Sequence, residues 1–223
     1  MIQRVYEGAK RCELFSDLVV ATDDPRIVSH VESFGAQAIL TSASHQSGTE
    51  RCGEVVDTFT DFDIVVNVQG DEPLVDAEQL SQLIKAFQDP QIEIATLGIQ
   101  TQSIDELLNP NRIKVVLNHL NKAIFFSRSA IPFGAQIPQD DWMSSYSYVR
   151  HIGLYAYKIE TLKTIIKLKP TSLEKQESLE QLRWLFYGIP IHVVLTNIET
   201  PNIDTPDDVA GILDLLSFST RNI

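Results

Sequence analysis

The sequence DIVVNVQGDEP, residues 63–73, decides both the fold and the candidate site. Its first part, DIVVNV, predicts a fully buried strand because it is a short and nearly continuous apolar run. An amide, a glycine that permits close backbone approach, and two acids follow before Pro73. Ligands of open parallel sheets bind beyond the carboxyl ends of the strands, so Asp71 is a candidate ligand of Mg²⁺. The alternative is that Asp71 only caps the helix that begins near Asp76.

Helix and strand patterns alternate on both sides of this stretch. The predicted order is helix 2–9, strand 18–21, helix 25–34, strand 38–41, helix 47–59, strand 63–68, helix 77–87 and strand 92–99. This alternation predicts an α/β fold, with a mostly parallel sheet that carries helices on both faces. The opening helix has no strand before it, although a helix on a parallel sheet normally connects two strands.

The second half of the chain has a different pattern. Two short apolar runs, 113–117 and 123–127, are separated by the turn-like sequence NHLN and predict an inserted antiparallel hairpin. The elements predicted after it are a long loop over 129–147, strand 149–157, helices 159–168 and 173–187, strand 191–196 and a terminal helix from Thr205. Thr171 and Glu174 have the spacing of a capping box. Because no repeat or linker interrupts the pattern, we interpret residues 1–223 as a single domain.

Composition and charge exclude several classes of protein. The chain has 223 residues, of which 43% are hydrophobic and 22% charged, so it is neither disordered nor a coiled coil. A net charge of -12 repels a phosphate backbone and excludes nucleic acid as a partner. No apolar run approaches the ~18 residues that membrane insertion requires. Two cysteines, Cys12 and Cys52, form no disulfide framework, and no signal peptide is recognisable, so we expect a reducing compartment.

A second acid, Asp204, lies just before Thr205-Pro206 in a setting similar to that of Asp71. Two carboxylates from distant strand ends can hold one divalent ion between them, as nucleotidyl transfer requires. Asp204 can equally be a helix N-terminal acid favoured by the helix dipole.

Small hydroxyl residues and a glycine, Ser47-Gly48-Thr49, lie at a predicted helix start. Free backbone N–H groups at that position suit a polar or anionic ligand, although Ser47 or Thr49 can also be a simple N-cap. No phosphate-loop, dinucleotide, serine-hydrolase or HExxH motif is present, and the five histidines lack the spacing of zinc ligands.

Cationic and polar side chains at other predicted strand ends complete the set of candidates. Arg128 and Arg150-His151 can supply cations, and an arginine can bind a carboxylate with two parallel hydrogen bonds. Glu177, Glu180 and Gln181 form a polar stripe on a predicted helix, which either borders a pocket or is simply solvated.

Six segments taken together and in order resemble the 3-deoxy-manno-octulosonate cytidylyltransferases, the CMP-Kdo synthetase family. They are HQSGTER at 45–51, NVQGDEP at 67–73, FFSRSAIP at 125–132, RHIGLYAY at 150–157, LEQLRWLFYG at 179–188 and IDTPDD at 203–208. The resemblance covers essentially the whole chain and implies a Rossmann-like nucleotidyltransferase fold and a homodimer. It also implies Mg²⁺-dependent transfer of CMP from CTP to 3-deoxy-D-manno-octulosonate (Kdo), with release of pyrophosphate, for lipopolysaccharide biosynthesis in the cytoplasm.

Carried over onto this sequence, the resemblance implies three groups of site residues. The magnesium ligands, which also serve catalysis, are Asp71 and Asp204. The residues beside the cytidine nucleotide are Ser47, Gly48 and Thr49. The residues around the sugar acid are Gln69, Arg128, His151, Tyr155, Glu180 and Gln181.

The chain departs from the family at its start. Family members begin with a strand and a basic, glycine-containing loop that wraps the triphosphate, whereas this sequence starts at Met1-Ile2-Gln3, inside the segment that follows. We therefore expect an N-terminally incomplete domain with weakened CTP binding. Two alternatives follow: a sugar-binding or dimerising homologue without catalysis, and a sister enzyme that acts on sialic acid or amino-Kdo.

Overall fold

The structure, a computed structural model, describes residues 1–59 and 61–200. Within them the helices are α1 (Ile2–Lys10), α2 (Pro25–Ser33), α3 (Gly48–Val56), α4 (Ala77–Ala86), α5 (Ile104–Leu108), α6 (Trp142–Ser145), α7 (Ile159–Ile165), α8 (Ser172–Glu177) and α9 (Gln181–Phe186). The strands are β1 (Val19–Thr22), β2 (Gln37–Leu40), β3 (Ile64–Asn67), β4 (Ile94–Gln100), β5 (Lys114–Leu117), β6 (Ala123–Ser127), β7 (Val149–Lys158) and β8 (His192–Thr196). A short 3₁₀ helix, Gln139–Asp141, precedes α6.

The long strand β7 is the centre of the larger sheet. It pairs antiparallel with β4 along one edge, and with β5 and β3 at the two ends of its other edge. β8 extends the sheet in parallel beside β4, and β6 extends it as the antiparallel partner of β5. β1 and β2 form a separate parallel pair. The prediction of a mostly parallel sheet is therefore wrong in detail: the paired strands are mixed, because β7 enters the middle of the sheet against the direction of three neighbours.

The inserted antiparallel hairpin is confirmed, because β5 and β6 pair antiparallel across the turn at 118–122. Asn121 supplies the positive φ that closes this turn, and Asn118 accepts hydrogen bonds from the backbone N–H groups of Leu120 and Lys122. Asparagine tolerates the left-handed conformation and satisfies turn donors, which explains why NHLN breaks the two strands.

β3 and β5 share one edge of β7 without meeting each other. Asn67 at the end of β3 lies opposite Tyr155, and Lys114 at the start of β5 lies opposite Arg150. The His151 N–H still donates to the carbonyl of Ile113, at 2.8 Å. Beyond it, no strand of the described residues pairs with residues 152–154 on this edge. The separation of two strands along one edge opens a cleft in the sheet.

Helices cover both faces of the sheet, as predicted. Successive residues of β7 point to opposite faces: Leu154 packs in the cluster around α1 and α4, and Tyr155 in the cluster around α7 and α9. Leu83 and Trp184 are among the fully buried anchors of the two clusters. Each fully buried side chain of this size contributes about 1.5–3 kcal/mol, so both layers stabilise the scaffold of the cleft.

A second cavity, of about 730 Å³, separates the small sheet from the large one. It is lined by α1 and α3 and by the facing edges of β1 and β3. Within the described part of the chain neither of these two edges has a ladder partner.

One helix prediction is wrong, and two short helices were not predicted. The helix predicted over 173–187 is two helices, because Ser178 adopts the left-handed conformation with φ 53° and ends α8 before α9 begins. The short helix α5 was not predicted; Ser103 caps it by accepting from the N–H of Glu106. Helix α6 and the 3₁₀ helix before it were not predicted either, because they lie in the segment 129–147 that was predicted as a loop. The capping box of Thr171 and Glu174 is confirmed. The terminal helix predicted from Thr205 lies outside the described residues.

Candidate functional site

The cleft at the divided edge of β7 has a volume of about 530 Å³. Of the site residues that the family resemblance implies, the structure brings six to its wall: Gln69, Asp71, Arg128, His151, Tyr155 and Gln181. The wall is completed by Glu72, Asn111, Arg112, Ile113, Arg150, Ile152, Gly153, Leu179 and Thr200. Side chains from distant parts of the sequence therefore converge on one cleft.

The turn after β3 supplies the carboxylate side of the cleft. Asn67 ends the strand as a buried residue, and its Oδ1 accepts a hydrogen bond of 3.0 Å from Nε2 of Gln69. Helix α4 is capped by Asp76, which accepts from the N–H groups of Glu78 and Gln79, so the interpretation of Asp71 as the cap of this helix is wrong. Within residues 1–59 and 61–200, no hydrogen bond or ion pair engages the Asp71 carboxylate.

His151 is a neutral, fixed imidazole in the floor of the cleft. Its Nε2 lies 2.8 Å from Oγ1 of Thr96, and that hydroxyl also donates to the carbonyl of Leu154, at 2.8 Å. Because Thr96 has one proton to donate, this network assigns the histidine proton to Nε2 and leaves Nδ1 as an acceptor. Burial, followed by the charge of Arg150, lowers the pKa of His151 to about 3.

Aromatic rings hold the histidine from two sides. Phe126 packs edge-on at 5.0 Å between ring centroids, and Tyr155 is tilted at 5.3 Å. The Tyr155 hydroxyl is buried and makes no hydrogen bond of normal geometry to the residues that the structure describes. Burial raises the pKa of Tyr155, so the phenol keeps its proton at neutral pH and can donate it to a ligand oxygen.

Hydrogen bonds to backbone carbonyls, rather than to a carboxylate, orient the Arg128 side chain. Its Nε donates to the carbonyl of Glu177 at 2.8 Å, and one terminal nitrogen donates to that of Pro110 at 3.1 Å. The Glu177 carboxylate accepts from the Arg128 N–H and from the Ser127 hydroxyl. In the described part of the chain Arg128 makes no salt bridge, so its positive charge is available to an anionic ligand.

Arg150, by contrast, is compensated within the protein. It is buried and forms ion pairs of 2.5 Å with Glu106 and Glu199. The expectation that Arg150 supplies a cation to a ligand is therefore not supported by the geometry. Arg150 has a structural role, because its two ion pairs connect helix α5 with the segment that follows β8.

Glu180 joins the start of α3 to the break between α8 and α9. Its two carboxylate oxygens accept from the hydroxyls of Ser47, at 2.8 Å, and Thr49, at 2.7 Å. Burial raises the pKa of Glu180, while these two hydrogen bonds oppose the shift. Glu180 thus lies with the predicted nucleotide residues, and its neighbour Gln181 lies in the cleft wall.

Gly48 lies against the amide side chains of Gln69 and Asn67. A Cβ at this position would come within 2.6 Å of Nε2 of Gln69 and 3.2 Å of Nδ2 of Asn67. Ser47 and Gly48 line the 730 Å³ cavity, and Gln69 lines both that cavity and the cleft. The Gln69 side chain therefore connects the predicted nucleotide residues with the predicted sugar residues.

Some residues of the site were missed by sequence reasoning. Asn67, Thr96 and Lys114 are buried polar residues of strands that support the cleft. A charged residue at the start of an apolar strand, such as Lys114 before VVL, was the available signal. The predicted acid Asp204 lies outside the described residues.

The donor chemistry at Asp71 suits a hard cation. Mg²⁺ takes one or two carboxylates and completes its octahedron with water and substrate phosphate oxygens. Asp71 offers a carboxylate that no described residue engages, at the wall of an open cleft. Among the described residues, no group of three or more His, Cys, Asp or Glu side chains could hold a metal. The site therefore fits a cation that is shared with a phosphate ligand.

A family model and the curated relatives of this chain point to the same family. The family model described as "Cytidylyltransferase" matches residues 1–191. A protein of Bacteroides thetaiotaomicron named 3-deoxy-manno-octulosonate cytidylyltransferase is 47% identical over 214 residues, which are 94% of this chain and 84% of that protein. One of the same name from Parabacteroides distasonis is 45% identical over 222 residues, with coverage of 97% and 88%. A solved CMP:2-keto-3-deoxy-manno-octonic acid synthetase complexed with CTP superposes with a TM-score of 0.90 at 36% identity, over 98% of this chain and 88% of that one.

Proposed function

Because this chain belongs to the cytidylyltransferase family, we propose that it transfers CMP from CTP to Kdo and releases pyrophosphate. Membership makes it a nucleotidyltransferase, and the predicted Rossmann-like nucleotidyltransferase fold is confirmed by the superposition with the CTP-bound synthetase. The observation that carries the choice of substrate is the cleft, in which Arg128, which makes no salt bridge to a described residue, shares the wall with Arg112 and with neutral hydrogen-bonding side chains, and Asp71 lies in the same wall. Such a cleft suits a hydroxylated acid.

On the proposed sugar side of the cleft, Arg128 provides a positive charge and several other side chains provide neutral partners. Arg128 meets the sugar carboxylate, because a guanidinium binds a carboxylate with directed hydrogen bonds. Gln69, His151, Tyr155 and Gln181 offer amide, imidazole and phenol groups to the hydroxyls. A site that is built around particular hydroxyls discriminates strongly against analogues that lack them.

On the proposed nucleotide side, Ser47 is the N-cap of α3, and Gly48 and Thr49 are the first residues of that helix. Glu180 holds both hydroxyls, so they orient the turn, and backbone N–H groups at the helix start remain as donors for the nucleotide. The absence of a side chain at Gly48 keeps Gln69 close to this turn.

Asp71 and Asp204 are proposed as the residues that would hold Mg²⁺. When bound, the ion withdraws charge from the phosphate oxygens and acidifies the attacking hydroxyl. The chain's own residues bind and orient the two substrates. The anomeric oxygen of Kdo forms a bond to the α-phosphorus of CTP, and the bond from that phosphorus to the bridging oxygen breaks. Pyrophosphate leaves with the electron pair of that bond, and the hydroxyl proton passes to water. No protein nucleophile takes part.

We also propose the oligomeric state, the location and the biological role of the enzyme. The enzyme is proposed to act as a homodimer in the cytoplasm and to activate Kdo for lipopolysaccharide, with the chain as a single domain over 1–223. Within the described residues, no helix has the length and apolar character needed to cross a bilayer.

The test is a comparison of sugar acids. With CTP and Mg²⁺ present, we expect Kdo to release pyrophosphate and to form the CMP phosphodiester in equal amounts, and sialic acid to give a rate lower by about 100-fold or more. Equal rates with sialic acid or amino-Kdo would assign a sister activity. Binding of Kdo without any pyrophosphate release would support a non-catalytic homologue instead.

A further inference from the structure

Lys114 is a fully buried lysine whose three ammonium protons all have backbone partners. Its Nζ donates to the carbonyls of Asn109 at 2.9 Å, Arg112 at 2.6 Å and Arg128 at 2.6 Å. An ammonium has three donors and no acceptor, so this arrangement uses its full capacity. Buried charges are retained in proteins only where they are satisfied in this way.

The partners of Lys114 belong to the two segments that bring cationic side chains to the cleft. The turn at 109–112 presents Asn111 and Arg112, and the end of β6 presents Arg128. The same turn is bound from its other side, because the Arg128 guanidinium donates to the carbonyl of Pro110. The side chains of Lys114 and Arg128 therefore donate hydrogen bonds to three of the four backbone carbonyls of this turn.

The charges around Lys114 come from every element packed against it. Glu177 of α8 and Glu106 of α5 favour its charged form, and Arg128 opposes it. Arg150 lies opposite in the β7 register, compensated by its two glutamates, and Arg112 lies in the turn itself. Burial is the largest influence, and it lowers the pKa of Lys114 to about 8.

We propose that Lys114 is a positioning residue which, as an ammonium, fixes the 109–112 turn and the end of β6 so that the anionic substrate meets a preformed cationic wall. This inference rests on the proposed function and extends it to a residue that touches no substrate. An amine has two protons instead of three, so deprotonation leaves one of the three buried carbonyls without its donor. The wall then loosens, and affinity for the sugar acid falls as the pH rises above about 8.

Three variants test this role. Lys114→Met removes the ammonium, Lys114→Arg keeps a charge that does not titrate, and Lys158→Met is a matched control at the far end of β7, where the lysine donates to the single carbonyl of Pro90. We expect Lys114→Met to raise the KM for Kdo about tenfold, with the KM for CTP changed less than about twofold. Lys158→Met is expected to leave both values unchanged.

The pH profile separates positioning from mere stabilisation. The wild-type KM for Kdo is expected to rise between about pH 8 and 9, whereas Lys114→Arg stays flat over that range. A flat wild-type profile, or a Lys114→Met protein with a lower melting temperature but both KM values unchanged, would overturn the inference. If Lys114→Met does not fold, the comparison of wild type with Lys114→Arg still decides.

A readout without substrate keeps this inference separate from the proposed function. The protection of the backbone amides of residues 109 and 111–113, relative to their intrinsic exchange rates at the same pH, is expected to fall in Lys114→Met at neutral pH, and in the wild type above about pH 8, while Lys158→Met keeps the wild-type protection. Unchanged exchange in Lys114→Met would refute the positioning role. A wild-type protein that forms no product, yet shows the exchange effect, would refute only the proposed reaction.

Discussion

At the residue scale, the contact between Gly48 and Gln69 is the point where the two proposed substrate sites meet. The glycine is required by close approach, not by an unusual φ angle, because its hydrogen faces two amide side chains. Sequence reasoning placed Gly48 at a helix start but could not show what it faces, since its partner Gln69 comes from the turn after β3.

Gly48→Ala tests this contact. The added methyl displaces the Gln69 amide, and we expect turnover to fall about tenfold or more, because small displacements of positioning groups are costly. Stability is expected to change little, because the group that the methyl displaces is the end of the flexible Gln69 side chain. In a Gln69→Ala background the same change is expected to add little. Full additivity of the two substitutions would show that the contact does not matter.

His151 gives a prediction about pH and stability. Its pKa is about 3 in the folded protein and about 6.5 when unfolded, so below pH 6.5 the unfolded chain binds a proton that the folded one does not. The stability that the neutral imidazole provides is present above pH 6.5 and is lost as the pH falls toward 3. The free energy of unfolding of the wild type, relative to His151→Gln, is expected to decrease by about 1.4 kcal/mol for each pH unit in this window.

Urea denaturation at several pH values measures this difference, because the other titrating groups are common to both proteins. Parallel stability curves for the wild type and His151→Gln would contradict a neutral His151.

At the element scale, the break between α8 and α9 determines how the polar stripe is used. The stripe reads as one continuous helical face in the sequence, yet Ser178 ends α8 and sends Glu180 and Gln181 to different sites. A serine in the left-handed conformation carries no sequence signal of the kind that glycine gives. The capping box at Thr171 was predictable, because its two side chains satisfy each other locally.

Thr171→Ala removes that box. We expect the free energy of unfolding to fall by about 1 kcal/mol, as is typical for loss of an N-cap. Ser172→Ala, at the exposed neighbouring position, is the matched control and is expected to change stability by less than about 0.5 kcal/mol. Equal effects of the two substitutions in chemical denaturation would contradict the capping role.

At the scale of the whole molecule, the alternation of helices and strands predicted helices on both faces, and the turn chemistry of NHLN predicted the hairpin. The pattern did not predict that β7 would lie between β4 on one side and β3 and β5 on the other. Strand order depends on pairing between residues that are far apart in the sequence. The cleft is a consequence of that order. Six residues of the cleft wall were predicted from the family resemblance. Lys114 and Thr96 were identified only from their burial in the folded chain.

The most direct test of the account is turnover by Asp71→Asn, measured beside its affinity for Kdo. The substitution keeps size and removes the charge, so we predict that pyrophosphate release falls about 100-fold or more while Kdo binding and the melting temperature stay close to those of the wild type. Near-normal turnover by Asp71→Asn would contradict the assignment of this cleft as the place where the nucleotide, the sugar acid and the cation meet.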